Sequence, residues 1–176
     1  MFDIDGTLPQ SYLVDGECFV RALGEVFGFR EICDDWSVYP HCTDSGILAT
    51  IFQERRGRPP TGEEISAFQS QFVSLLAVAA QERLIQPVDG AHEMLDRLSV
   101  SLDWAVALAS GAWETSARLK LASAKLCPDL PGAFADDAMQ REAIMQKSLE
   151  RALKWYGRAT FDAVVYVGDG VWDARA

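Results

Sequence analysis

Apolar positions along the chain follow two rhythms, and the predicted elements change where the rhythm changes. Between residues 12 and 84 they recur every three or four places, the spacing of helices with one buried face. Leu13, Phe19, Val20, Leu23, Val26 and Phe27 make one such stripe, on a helix predicted from Ser11 to Phe29 with Gly28 near its end. A second helix is predicted from Thr43, its cap, to Arg56, where the basic, proline-rich turn through Arg55, Arg56, Arg58 and Pro60 stops it. A third opens at Thr61, where Thr-x-x-Glu to Glu64 has the form of a capping box, and carries Ile65, Phe68, Phe72, Leu75, Leu76 and Ala79 inward. Residues 30–42 between the first two are irregular and aromatic.

After Pro87 and Gly90 the pattern changes to short uninterrupted apolar runs, as in strands buried on both faces of a parallel sheet. Trp104 to Ala109, Ala133 to Ala135 and Ala163 to Val167 are such runs, and helical stretches over residues 91–99, 114–125 and 141–156 alternate with them. This alternation predicts an α/β fold: a Rossmann-like parallel sheet core from residues 1–11 and 86–176, with an all-helical unit, residues 12–85, inserted.

Composition narrows the setting. In 176 residues, 49% hydrophobic and 24% charged content is that of a globular protein large enough for one core and a smaller attached unit. A net charge of −10 disfavours nucleic acid or an anionic membrane surface as partner, and no stretch reaches the length of a membrane span. Cys18, Cys33, Cys42 and Cys127 lack Cys-x-x-Cys spacing, and His41 and His92 have no clustered second ligand, so zinc is not expected. Reduced thiols in a cytoplasmic protein are the expectation.

Chemistry concentrates at two places. The chain starts Met1-Phe2-Asp3-Ile4-Asp5-Gly6-Thr7-Leu8, a strand end breaking into a turn with two carboxylates on one side of the strand. A calcium loop is excluded, because Thr7 and Val14 stand where that pattern needs an Asp or Asn and a Glu. Far along the chain, the run 163–167 also ends in acids, Gly168-Asp169-Gly170-Val171-Trp172-Asp173. Ligands of open α/β sheets bind beyond the carboxyl ends of the strands, so both acidic pairs could reach one crevice. Like charges that close need a cation, and a hard ion such as Mg²⁺ is content with one or two carboxylates, water and a substrate phosphate.

These two stretches resemble motifs I and IV of the haloacid dehalogenase-like (HAD) hydrolase superfamily, Asp-x-Asp-Gly-Thr-Leu and Gly-Asp-Gly-x-x-Asp. The resemblance implies a Mg²⁺-dependent hydrolase of small phosphomonoesters. Asp3 would be the nucleophile that forms an aspartyl-phosphate and Asp5 the general acid/base. Asp169 and Asp173 would hold Mg²⁺ together with Asp3 and the backbone carbonyl of Asp5. Ser110-Gly111, at the end of the run 104–109, is similar to motif II, with the Ser110 hydroxyl and the N–H groups of Gly111 and Ala112 facing the phosphoryl group. Arg141 fills the motif III position usually held by lysine, with Lys147 as the fallback. Asp136 and Asp137 would shape the pocket or cap a turn.

The inserted helices resemble the cap of HAD subclass I, as in phosphoglycolate phosphatase and β-phosphoglucomutase relatives. Substrate choice is expected there, with Thr43 and Arg55 as substrate-binding candidates beside His41, Asp44, Arg56 and Arg58. Against these stand simpler roles, Thr43 as a helix cap and the arginines as a solvated helix end. Asp5 argues against a dehalogenase, and the absence of lysine from residues 12–84 against a phosphonate hydrolase using a Schiff base. A phosphomutase, a non-catalytic phosphoacceptor and an inactive truncated fragment remain as alternatives. Few residues precede Asp3 or follow Asp173, so the chain is expected to be cut at both ends of its core.

Overall fold

The structure, a computed structural model, describes residues 1–126 and 128–173. Most of its regular structure is in six α-helices: α1 (Tyr12–Phe27), α2 (Asp44–Arg56), α3 (Gly62–Glu82), α4 (Ala91–Ser99), α5 (Glu114–Ser123) and α6 (Arg141–Trp155). Their ends follow local rules. Gly28 closes α1 in the left-handed conformation at φ 72°, and the Thr43 hydroxyl caps α2 by accepting from the Gly46 N–H. At α3 the Thr61 hydroxyl and the Glu64 carboxylate cap each other's backbone N–H, the reciprocal box expected from the spacing.

The sheet is smaller than the apolar runs predict. Among the described residues only β1 (Leu108–Ala109) and β2 (Gly132–Ala133) form a ladder, and it is parallel. Phe2 pairs with Leu108 on one side and Val167 on the other, both parallel, so four rows stand in the order Val167, Phe2, Leu108, Gly132. The Phe2 N–H donates to the Ala107 carbonyl and the Asp3 N–H to the Val167 carbonyl, both at 2.9 Å. Side chains alternate across this sheet with period two. Phe2 and Leu108 face the main hydrophobic cluster, whereas Met1, Ala109 and Ala133 meet Ile144 of α6 on the other face.

Three expectations need correction. The run from Trp104 becomes a strand only at its last two residues, and the Trp104 side chain is 55% exposed. The run 163–167 is not buried on both faces: Val164, Val165 and Val167 are about half exposed, because this row is outermost among the described residues and its residues have a neighbour on one side only. On α1 the inward stripe is Val14, Cys18, Phe19, Ala22 and Leu23, and Leu13, one place off that face, is exposed. Of the cysteines, Cys18, Cys33 and Cys42 carry free thiols, and Cys127 lies outside the described residues. No described helix is long and apolar enough to cross a membrane.

The helical segment leaves and rejoins the sheet at one place. Pro9 pairs with Pro87, the Val88 N–H donates to the Leu8 carbonyl at 2.7 Å, and the Gln10 N–H donates to the Gln86 carbonyl at 2.8 Å. Within the segment α1 packs on α3, and α3 packs on α5. The bridge is aromatic: Trp113, just before α5, contacts Phe19, Phe68 and Phe72, with ring centroids 5.7–6.3 Å apart. One continuous hydrophobic cluster therefore runs from the sheet through Trp113 into the helices.

Removing this ring should be costly. Trp113→Ala is expected to destabilise the fold by about 3–5 kcal/mol, whereas Trp104→Ala should stay within about 0.5 kcal/mol. Urea unfolding followed by circular dichroism checks both, and a similar cost for the two would refute the packing role given to Trp113.

Candidate functional site

Three of the four rows of the sheet deliver a polar group at the carboxyl end. Asp3 follows Phe2, Ser110 follows β1, and Asp169 and Asp173 follow Val167. The chain then turns sharply at Gly6, where φ is 80° and a side chain would collide with the Asp169 carboxylate, so glycine alone fits both the conformation and the space. The Thr7 hydroxyl donates to Asp169 at 3.3 Å, tying the first loop to the last. Carboxylate oxygens of Asp3, Asp169 and Asp173 come within 4.8 Å of one another.

Arg141, the first residue of α6, enters this group from the side. Its guanidinium lies 3.0 Å from Asp173 and 3.4 Å from Asp3, and donates to the Tyr166 hydroxyl and the Cys42 carbonyl, each at 3.0 Å. Lys147, a turn and a half further along α6, is exposed. Gly111 lies against the same guanidinium, and a Cβ there would press on it and on the Cys42 carbonyl. Asp3 is 4% exposed, and its Oδ1 is buried without a hydrogen-bond partner. Burial lifts its carboxyl from the usual 3.8 to about 6, although Arg141 pulls the other way. An orphaned buried carboxylate oxygen beside two further carboxylates is a donor set that suits a hard divalent cation.

The same cavity extends towards α1 and α2 and is lined by Asp5, Asp15, Thr43, Asp44, Ser110 and Gly111, with Tyr12, Phe19 and Trp36 as aromatic wall. The Asp44 N–H donates to the Gly111 carbonyl at 2.8 Å, and the Asp44 carboxylate accepts from the Trp113 N–H at 2.9 Å, so the start of α2 sits directly on the loop after β1. Thr43 is both cap and tie, its hydroxyl donating to the Met139 carbonyl at 2.8 Å. Arg55 is not part of this cavity: its guanidinium donates to the carbonyls of Arg30 and Glu31, holding the irregular segment. Arg56 and Arg58 pair with Glu64, and Asp136 and Asp137 cap the Glu114 and Phe134 N–H groups. These placements are structural in each case.

Three charged or polar groups of the site escape sequence reasoning. Tyr166 donates from its hydroxyl to the Ala109 carbonyl while receiving Arg141. Lys120, fully buried in α5, donates to Asp5 and Asp15 at 2.5 and 2.6 Å. Burial opposes its charge, but Asp15, Asp5 and Asp44 outweigh burial and hold it protonated. Burial raises Asp15 to about 6 in spite of that bond, and it also pushes the Asp44 carboxyl well above the usual carboxylate range. The signal for Lys120 was present: it lies on the same helix face as Ala117, Leu121 and Ala124, a stripe that apart from Ser116 is apolar.

The chain shares its fold with a solved hydrolase. That structure, from Pseudomonas syringae, matches with a TM-score of 0.71 and 20% identity over 98% of this chain and 76% of the other. No protein-family model and no curated protein matches the sequence. At that identity the likeness establishes the course of the chain, and the chemistry rests on the residues.

The raised Asp3 carboxyl makes a signed prediction. Without a bound cation the folded protein keeps a proton on Asp3 between about pH 4 and pH 6 that the unfolded chain has released. Stability is therefore lost as pH rises through that window, by up to about 3 kcal/mol. Asp3→Asn, which mimics the protonated form, should match the parent near pH 4 and exceed it above pH 6 in metal-free urea titrations. An unchanged difference across that range would contradict the burial of Asp3.

Proposed function

We propose that this chain is a Mg²⁺-dependent hydrolase of small phosphomonoesters, a member of the HAD superfamily with helices α1–α3 as its cap, working through an aspartyl-phosphate on Asp3. The observation that carries the reading is the meeting of Asp3, Asp169 and Asp173 at the sheet's carboxyl edge, with the buried Asp3 Oδ1 left unpartnered and Arg141 alongside. Mg²⁺, held by these three carboxylates and the Asp5 backbone carbonyl, would neutralise charge on the transferring phosphoryl group.

Asp3 attacks phosphorus, the bond to the leaving oxygen breaks, and Asp5 gives that oxygen its proton. In the second half Asp5 takes a proton from water, whose oxygen attacks phosphorus as the bond to Asp3 breaks and inorganic phosphate departs. Arg141, always charged, and the Ser110 hydroxyl with the Gly111 and Ala112 N–H groups bind the equatorial phosphoryl oxygens. Asp5 lines the same cavity as Asp3, which favours a proton donor over a merely structural carboxylate. Tyr12, Phe19 and Trp36 line the cavity together with Thr43 and Asp44, which supports a small organic leaving group there and a substrate role for those two cap residues.

A panel of small phosphomonoesters assayed for phosphate release tests this. Release is expected with Mg²⁺, not with EDTA, and to fall by a factor of at least about 1,000 in Asp3→Asn, the loss of a covalent nucleophile. Metal-independent release, or full activity in Asp3→Asn, would overturn the proposal. Gly111→Ala is expected to lower activity at least about tenfold while the fold persists, because the new methyl displaces Arg141.

A further inference from the structure

Asp5 is held at both oxygens. Its Oδ1 accepts the Ser11 hydroxyl at 2.5 Å and its Oδ2 accepts the Lys120 ammonium at 2.5 Å. Lys120 is braced in turn by Asp15, 2.6 Å away on α1. Four residues from two stretches far apart in sequence, residues 5–15 and α5, thus form one chain of charge-assisted bonds that includes a carboxylate in the cavity.

Packing alone gives no reason for a lysine here. Its neighbours on the inward face of α5 are Ser116, whose hydroxyl is spent on the Trp113 carbonyl, and the apolar Ala117, Leu121 and Ala124, and an apolar side chain of similar length would fill the space without the penalty of desolvating an ammonium. A lysine brings one thing a methionine cannot, a fixed hydrogen-bond donor for each of two carboxylates. A carboxylate on the loop after the first row would otherwise have several rotamers, and a proton donor displaced by an ångström loses most of its effect. The pairing also excludes the simplest alternative for Lys120, direct contact with substrate, since it is fully buried and bonded to Asp5 and Asp15.

We propose that Lys120, braced by Asp15, is a positioning residue that aims the Asp5 carboxyl at the leaving oxygen of the substrate. The inference rests on the phosphatase reading above, and the test separates the two. Phosphoesters that differ only in leaving group report on the proton donor: an alkyl phosphate needs its leaving oxygen protonated, whereas 2,4-dinitrophenyl phosphate leaves as a stable anion and does not. The quantity to measure is kcat/KM, which covers transfer as far as Asp3.

Lys120→Met is expected to lower kcat/KM for the alkyl phosphate by about 100-fold or more, the scale of general acid catalysis, while the dinitrophenyl ester is little changed. Asp15→Asn, which keeps the shape of the brace, should show the same order of effects at about tenfold. It also decides the question if Lys120→Met does not fold. Equal losses on both esters, or no loss on either, would remove Lys120 from the mechanism while leaving the phosphatase reading standing. No turnover of any ester by the parent chain with Mg²⁺ would overturn that reading and this inference with it.

Discussion

The rest of the structure depends on keeping like charges together. Six carboxylates gather at one end of a short parallel sheet, and two cations stand among them. Arg141 answers for Asp3, Asp169 and Asp173, with contacts to the first and last. Lys120 answers for Asp5, Asp15 and Asp44, bonded to the first two and near enough the third to influence it. Each group is left with more negative than positive charge, and in each the carboxyls of the deepest members are pushed upward by burial. A fold selected for stability alone would avoid this arrangement, because each desolvated charge costs several kcal/mol and the total margin is about 5–15 kcal/mol.

The architecture explains how the arrangement is held. Parallel rows bring their carboxyl ends to the same edge, so loops distant in sequence meet there. The helices that follow β1 and β2, α5 and α6, each carry one of the cations, Lys120 in the second turn of α5 and Arg141 at the start of α6. Aromatic packing of Trp113 on Phe19, Phe68 and Phe72 holds α1 and α3 against this edge, and with α1 comes Asp15. The hydrophobic cluster and the charged site are thus one construction, with Trp113 supplying a ring to the first and a backbone N–H to Asp44 in the second.

How much of this was legible in the sequence divides along physical lines. Features fixed by neighbours a few residues apart were readable: the capping box of Thr61 and Glu64, the cap at Thr43, the left-handed glycine ending α1, and the acids past the apolar runs. Helix extents agree to within a residue or two for the same reason. Strand lengths were not readable, because a parallel strand exists only where a partner's backbone meets it, and Trp104 and Val164 lack one despite their apolar runs. Arg55 looked like a ligand group because an arginine cluster can bind anions, but the turn carries its guanidinium to the carbonyls of Arg30 and Glu31. Arg141 was found through a resemblance in spacing. Lys120, Asp15 and Tyr166 depend on which helix faces which strand, information that periodicity holds only as a polar residue on an apolar stripe.

The central claim is that Asp3, buried among acids and cationic partners, carries the phosphoryl group during turnover. Acid quenching of the working protein, reduction with borohydride and mass spectrometry of the Asp3 peptide test it most directly, since borohydride converts an acyl phosphate on aspartate to homoserine. The account predicts homoserine at position 3, dependent on both phosphoester and Mg²⁺. An unaltered Asp3 in protein that is releasing phosphate, or reduction at another carboxylate, would contradict it.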